Sequence, residues 1–353
     1  MSSLDVATAA SAGVIEVYPD SEIVSVNVAD GGEGTVEAIV DALGGEIVKV
    51  QVSDPLGRKI ETSYGIAGET AILEMAAASG LPLLKVEERN PWLTSTYGTG
   101  EIIMDAIRRG CCQLLVGIGG SATNDAGTGM LQALGFKFYD SNGDEIIDCR
   151  GGRLQDIADI DDGCVPQSVR EAEFIVACDV DTPFCGPEGA SSMFAPQKGA
   201  DAEMVVKLDA GMASYAKVVE TKYGIPIIRI AGAGAAGGMG GTMRGVLNAT
   251  LKCGIDIVLD VIGFNQKING ADLIITGEGK IDIQTTKGKT VAGVMARGQQ
   301  QNIPVVAIAG SVERCDSVEK MGFAGIYPIL EKEVPLEVSM RPDLAAANIE
   351  KTI

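Results

Sequence analysis

A glycine-rich stretch with hydroxyl and carboxylate side chains is the first candidate for chemistry in this sequence. It spans residues 117–129 and lies between an apolar run and a helical pattern. A glycine-rich backbone between a strand and a helix can surround an anion with N–H groups. Asp125 in this stretch is a candidate cation ligand or proton acceptor. The alternative is a tight turn whose polar residues cap the next helix. The residues of the stretch that could donate hydrogen bonds to a phosphate are Gly119, Gly120, Ser121 and Thr123.

A second glycine-rich stretch, residues 232–241, matches the dinucleotide-binding fingerprint. Gly232, Gly234 and Gly237 have its spacing, and Asp256 follows at a distance suited to a ribose contact. A nicotinamide-dependent oxidoreductase is therefore one alternative function. A run this rich in glycine matches the pattern easily, and it lies inside the chain rather than at the start of a βαβ domain. We interpret Gly234 and Gly237 instead as candidate phosphate-binding positions.

Acidic residues follow several of the predicted strands. In open parallel sheets, ligands bind at the carboxyl ends of the strands, so carboxylates there can hold Mg²⁺ against nucleotide phosphates or accept a proton from a substrate hydroxyl. The alternative is that each carboxylate caps a helix. The residues concerned are Asp30, Glu33, Asp125, Asp179, Asp181, Glu278 and Asp282.

Composition excludes several classes of protein. The formal net charge of −20 argues against nucleic acid as a partner, because phosphate backbones need a basic surface. The chain has no histidine, which excludes the usual Ser-His-Asp and Cys-His hydrolases. Its eight cysteines form no CxxC pair, so we expect free thiols in a reducing cytoplasm. No signal peptide or membrane span is expected.

The order of predicted elements favours an α/β protein with two domains. Strands followed by helices near residues 23–43 and 273–328 predict a parallel-sheet domain formed by residues 1–45 and 255–353. Short antiparallel strands begin near residue 46, so residues 46–254 are predicted to form an inserted α/β domain. Strands are also predicted at 23–28, 112–116, 174–178, 226–231 and 273–276, and a glycine-containing loop over 277–282 is predicted to follow the last of them. The predicted helices are residues 2–17, 35–43, 97–109, 201–222, 242–252 and 288–301.

Taken together, these motifs resemble the bacterial glycerate kinases of glycolate and glucarate catabolism. The resemblance covers essentially the whole chain and rests on residues 29–34, 117–129, 177–180, 197–200, 232–238 and 276–285, in family order. It implies a flavodoxin-like domain with an inserted α/β domain and a site in the cleft between them. It also implies phosphorylation of D-glycerate by ATP with Mg²⁺, usually at the 2-hydroxyl.

For phosphoryl transfer, the residues singled out above have candidate roles, which the sequence does not assign individually. Asp125, Asp282 and Asp179 are the candidate metal ligands or bases, with Asp125 and Asp282 preferred for the metal. Lys198, Arg58 and Lys280 are candidates to neutralise the phosphoryl charge or to hold the substrate carboxylate. Asp30 is expected to flank the substrate, and Gly277 and Glu278 to flank the nucleotide.

One departure from the family pattern leads to a further alternative. Family members usually open with a strand and a loop of the form Ala-Pro-Asp-Ser-Phe-Lys, whereas this chain opens at the following helix. The first domain is therefore expected to lack its first strand, and an inactive ligand-binding fragment is a second alternative. A small-molecule substrate is expected in either case. The sequence does not specify the oligomeric state, and a homodimer is considered.

Overall fold

The computed structural model describes residues 1, 3–26, 28, 35–283, 285, 290–313, 315–330 and 341–353. The strands are β1 (Glu46–Ser53), β2 (Lys59–Ala67), β3 (Thr70–Glu74), β4 (Gln113–Gly117), β5 (Lys137–Tyr139), β6 (Asp159–Asp161), β7 (Glu173–Ala177), β8 (Thr250–Lys252), β9 (Ile274–Ile281), β10 (Val305–Val312) and β11 (Gly325–Pro328). The helices are α1 (Ser3–Val17), α2 (Thr35–Leu43), α3 (Ala76–Ser79), α4 (Tyr97–Arg108), α5 (Thr128–Ala133), α6 (Gln167–Glu171), α7 (Ala190–Phe194), α8 (Ala202–Tyr223), α9 (Met239–Val246), α10 (Gly254–Val261), α11 (Phe264–Lys267), α12 (Thr290–Gln300), α13 (Asp316–Glu319) and α14 (Pro342–Thr352).

The chain divides into two compact units, one of residues 1–31 and 255–353 and the other of residues 32–254. The second unit contains a six-stranded sheet with strand order β1-β2-β3-β4-β7-β8. Strands β1 to β3 pair antiparallel, whereas β3, β4, β7 and β8 run parallel. Gly117 at the end of β4 pairs with Glu74 on one side and Ala177 on the other. The carboxyl ends of these parallel strands therefore form one edge of the sheet.

Helices α2 and α4 cover opposite faces of this sheet. Successive strand residues point to opposite faces. Tyr64 is buried and donates its hydroxyl proton to Asp105 on α4, whereas a Cβ on the next residue, Gly65, would lie 2.1 Å from Val40 on α2. Because α2 packs on the sheet in this way, it groups with residues 32–254. This grouping differs from the boundary at residue 46 that the sequence predicted.

The other unit contains a three-stranded parallel sheet in the order β11-β10-β9. Helices α1 and α14 pack closely, since a Cβ on Gly13 would lie 2.6 Å from the carbonyl oxygen of Glu350. Ala9, Ile308 and Ile349 form a buried cluster that joins these helices to β10. The mixed α/β class with a mainly parallel sheet is thus confirmed. The flavodoxin-like topology of this unit stays a prediction.

Many predicted elements are confirmed because the sequence carries both their periodicity and their end signals. Helix α8 is an example: the Asp201 side chain accepts a hydrogen bond from the Met204 N–H, which caps its first turn. Gly224, at a φ of 72°, ends the same helix in the left-handed conformation that glycine adopts readily. Strand β4 is buried through Leu114, Leu115 and Val116, as a continuous apolar run in a parallel sheet should be.

Four predicted elements were wrong in type or extent. Residues 23–26 and 28 form no strand, and Val24 is 58% exposed. Residues 226–231 form a short 3₁₀ helix, Ile227–Arg229, because Pro226 has no N–H to offer a sheet. The predicted helix over 242–252 ends at Val246, with Asn248 at a φ of 53°, and β8 follows. The predicted loop at residues 277–281 continues strand β9, where it pairs with β10.

Candidate functional site

The glycine-rich stretch 117–129 lies at the carboxyl edge of the larger sheet, directly after β4. Gly119 and Gly120 are exposed at its tip, and a Cβ on Gly119 would meet no atom within 4 Å. Gly120 has a φ of 70°, which turns the chain back into the protein. Ser121 and the residues after it are buried. The stretch therefore has an exposed backbone tip, and the polar residues that follow the tip are buried.

Lys198 lies beside these buried polar residues and is only 2% exposed. Its Nζ donates to Ser121 Oγ and to the carbonyl oxygen of Thr123, each at 2.7 Å. Burial lowers the pKa of the amine from 10.5 to about 7, and the negative charge of Asp125 opposes part of that shift. The structure thus joins three residues that the sequence singled out, Ser121, Thr123 and Lys198. With a pKa of about 7 the amine is about half protonated at pH 7, and a nearby anion would favour its charged form.

Asp125 is completely buried, and its carboxylate is engaged by protein donors. Oδ2 accepts hydrogen bonds from the N–H and hydroxyl of Thr96, each at 2.7 Å, and from the Gly129 N–H. Oδ1 accepts from the Gly127 N–H. Burial raises the pKa of this carboxyl above 3.8, although these hydrogen bonds oppose the rise. These hydrogen bonds favour a role for Asp125 in fixing the loop over a role as a metal ligand.

The second glycine-rich stretch, residues 232–241, packs against the first. Gly237 has a φ of 65°, and a Cβ there would lie 2.2 Å from the carbonyl oxygen of Thr123. Its own carbonyl oxygen accepts a hydrogen bond from the Ala126 N–H at 3.0 Å. A Cβ on Gly234 would lie 2.1 Å from the carbonyl oxygen of Pro183. These glycines permit close backbone packing, and no strand directly precedes them, so the dinucleotide fingerprint lacks its structural context.

Asp179 and Arg58 both have partners within residues 32–254. Asp179 accepts hydrogen bonds from Cys253 Sγ at 2.9 Å and from the Gly254 N–H at 2.8 Å. Arg58 forms ion pairs with Asp54 at 2.5 Å and with Glu88 at 2.7 Å. The carboxylates around Arg58 neutralise it, which leaves it less suited to hold a substrate carboxylate.

The remaining predicted residues belong to the unit of residues 1–31 and 255–353. Gly277 and Glu278 lie within β9, and Thr285 donates its hydroxyl proton to Glu278. The Asp282 N–H donates to Thr285 Oγ1 at 3.1 Å, and the Asp282 carboxylate pairs with Lys280 at 3.1 Å. Thr285 therefore links the Glu278 carboxylate in β9 to the backbone N–H of Asp282, the residue after this strand. Asp30 and Glu33 lie outside the described residues.

Sequence reasoning missed two polar residues beside the loop at 117–129. Thr96 holds Asp125, as described above, and Arg89 has a buried Nε without a hydrogen-bond partner in the described part of the chain. Neither stands in a recognisable motif, since both lie in the irregular segment between α3 and α4. Only their proximity in the folded chain identifies them.

No group of three or more Asp, Glu, Cys or His side chains among the described residues is arranged to hold a metal ion. No helix in the described part of the chain has the length and hydrophobicity to cross a membrane.

The fold and site define an α/β protein with a buried cation and hydroxyl groups beneath an exposed glycine loop, an arrangement suited to anionic small molecules. The profile described as the glycerate kinase family matches residues 1–353. A glycerate kinase of Bacillus subtilis is 44% identical and a glycerate 2-kinase of Escherichia coli is 43% identical, over 100% and 97% of this chain and 92% and 90% of theirs. A crystal structure described as a glycerate kinase 2 from Salmonella typhimurium LT2 superimposes with a TM-score of 0.85 at 41% identity, over 99% of this chain and 92% of that one.

The chain belongs to the glycerate kinase family. Its family makes it a kinase, that is, a phosphotransferase with an alcohol group as acceptor. The comparisons do not support the nicotinamide-dependent alternative.

Proposed function

We propose that this chain transfers the terminal phosphoryl group of ATP to the 2-hydroxyl of D-glycerate, releasing ADP and 2-phosphoglycerate. The observation that carries this proposal is the family match over residues 1–353. The name of the Escherichia coli relative, glycerate 2-kinase, supports the 2-position. Both substrates are anionic. A chain whose net charge is −20 needs a local cation to bind them, and Lys198 supplies one.

Lys198 is the residue that we propose for neutralising phosphoryl charge. Phosphoryl transfer depends mainly on positioning and on stabilising charge over the transferred group. The Lys198 amine has a pKa of about 7 and is held by Ser121 and Thr123. A bound anion would raise that pKa, because an opposite charge nearby favours the protonated amine. The backbone tip at Gly119 and Gly120 would supply further N–H donors.

Glu278 and Asp282 are the residues that we propose for holding Mg²⁺. Protein sites for Mg²⁺ often supply only one or two carboxylates, and phosphates and water complete the octahedron. Thr285 Oγ1 donates to the Glu278 carboxylate and accepts from the backbone N–H of Asp282, and the Asp282 side chain is 19% accessible. When bound, the ion would neutralise phosphate charge. Lys280, which pairs with Asp282 and Glu313, would hold the Asp282 carboxylate in place.

A coupled ADP-release assay with D-glycerate, ATP and Mg²⁺ tests the proposed activity. We expect ADP release that depends on both D-glycerate and Mg²⁺, and ³¹P NMR of the product should show 2-phosphoglycerate. A product phosphorylated at the 3-position would refute the regiochemistry alone. Binding of D-glycerate without turnover would instead support the inactive ligand-binding alternative.

We also propose a cytoplasmic location, which the eight free cysteines support because reduced thiols are typical of reducing compartments. Cell fractionation tests that location. Light scattering after size-exclusion chromatography would decide whether the chain forms the homodimer considered above.

A further inference from the structure

Arg89 lies in a segment that is fixed along the glycine-rich stretch 117–129. Near the start of this segment, the Leu81 N–H donates to the carbonyl oxygen of Gly120 at 2.8 Å. Near its end, the Thr94 hydroxyl donates to the carbonyl oxygen of Ala122 at 3.0 Å. Because the segment is tied to the stretch on both sides of Arg89, this arginine is held beside it.

A close backbone contact joins Arg89 to Gly199, the residue after Lys198. A Cβ on Gly199 would lie 2.1 Å from the carbonyl oxygen of Arg89 and 3.1 Å from its Cβ. Gly199 also has a φ of 99°, which other residues rarely adopt. Only glycine fits here on both counts. The residue after Lys198 therefore packs directly on the backbone of Arg89.

Arg89 lacks a negative partner in the part of the chain that the structure describes. Its buried Nε has no hydrogen-bond partner there. The neighbouring carboxylate of Glu88 is already engaged by Arg58 at 2.7 Å and by the Lys85 N–H at 3.0 Å. An unsatisfied buried donor is costly, so a ligand that supplies an acceptor here would recover free energy. Arg108 also lacks an ion pair in the described part of the chain, but it is exposed to water, so the buried and unsatisfied Nε is the feature of Arg89 that points to an external acceptor.

We propose that Arg89 binds the carboxylate of the substrate and so selects a hydroxy acid over a neutral polyol. A planar guanidinium matches a carboxylate through two parallel hydrogen bonds, whereas the Lys198 amine is a point charge suited to phosphoryl oxygens. This inference rests on the proposed glycerate kinase activity. It replaces Arg58 as the carboxylate-binding residue, because Arg58 already pairs with Asp54 and Glu88.

Steady-state kinetics of Arg89→Gln and Arg89→Lys test the assignment. We expect Arg89→Gln to raise the KM for D-glycerate about 10- to 100-fold, since hydrogen bonds to charged groups are worth that factor. The KM for ATP should change less than about 3-fold. Arg89→Lys should recover part of the loss, because it keeps the charge without the planar fork. The matched control is Arg108→Gln, an exposed arginine in the last turn of α4, which should leave both KM values unchanged.

A neutral analogue separates carboxylate recognition from a merely structural role. The preference of the wild type for D-glycerate over D-glyceramide should shrink in Arg89→Gln by the same factor as the rise in KM. An unchanged preference, or equal rises in the KM for both substrates, would overturn the assignment. If the wild type releases no ADP, the proposed function fails, and calorimetric titration of D-glycerate then decides. Binding that Arg89→Gln weakens would uphold the role of Arg89, and equal or absent binding would overturn it.

Discussion

Replacing Lys198 with Met should remove a specific pH dependence from the stability of the protein. In the folded chain, burial lowers the pKa of the amine from 10.5 to about 7. Between those pH values the unfolded chain binds nearly one more proton than the folded chain, so the free energy of unfolding rises with pH. The slope is about 1.4 kcal/mol per pH unit, which amounts to about 2–3 kcal/mol between pH 7 and pH 9.

Urea unfolding at pH 6, 7, 8 and 9 measures this contribution. Between pH 6 and 7 the difference in free energy between the wild type and Lys198→Met should change by only about 0.3 kcal/mol, because the folded chain loses at most half a proton over that interval. Above pH 7 the wild type should gain stability relative to the variant at about 1.4 kcal/mol per unit. The matched control, Lys217→Met, removes an exposed lysine of α8 and should follow the wild type at every pH.

A constant difference from pH 6 to pH 9 would refute the reasoning. It would mean that the folded environment leaves the amine as basic as it is in the unfolded chain. Lys198→Met should also lose glycerate-dependent ADP release, because no other group replaces its charge beneath the tip of the stretch 117–129. Retained turnover would remove Lys198 from the proposed mechanism without affecting the stability argument.

Three further substitutions test individual residues. Asp125→Asn should lower the free energy of unfolding by about 2–4 kcal/mol, because the new amide NH₂ would face N–H donors. Thermal unfolding measures this loss. Lost turnover with unchanged stability would instead favour a catalytic role for Asp125. Gly237→Ala should lower the free energy of unfolding by about 3 kcal/mol or more, because φ is positive there and the new Cβ would clash with the Thr123 carbonyl oxygen. Gly186→Ala has a positive φ but no clash, and it should lower the free energy of unfolding by about 1 kcal/mol. Equal losses for the two variants in calorimetry would contradict the packing argument. Asp282→Asn should lower kcat about 100-fold and raise the Mg²⁺ concentration needed, with little change in stability; near-normal turnover would exclude Asp282.

Predictions from the sequence were accurate where local signals decide the structure. Helix α8 has an Asp at its start and a Gly at its end, and strand β4 is a continuous apolar run. Residues 226–231 read as a strand from hydrophobicity alone, yet they form a 3₁₀ helix that buries Ile227. A strand requires a neighbour with matching hydrogen bonds, and the sequence does not show whether that neighbour is present.

The candidate site was predicted only in part for the same reason. Glycine spacing and hydroxyl residues identified the stretch 117–129, and the motif around Lys198 identified the lysine. The sequence treated Asp125 as catalytic, whereas the fold surrounds its carboxylate with N–H and hydroxyl donors. It also proposed Arg58 and did not single out Arg89, because the ion pair between Arg58 and Glu88 joins residues 30 positions apart in the chain.

The sequence by itself determined the α/β class, most of the helices and strands, and the family, because these depend on periodicity, end signals and motifs that local residues carry. The tertiary structure alone decided which charged groups are satisfied. Burial and hydrogen bonding arise from segments distant in sequence, as where Gly199 packs on Arg89 and Ser121 holds Lys198. The electrostatic state of a side chain depends on those surroundings, so chemistry can be assigned to a residue only after the chain has folded around it.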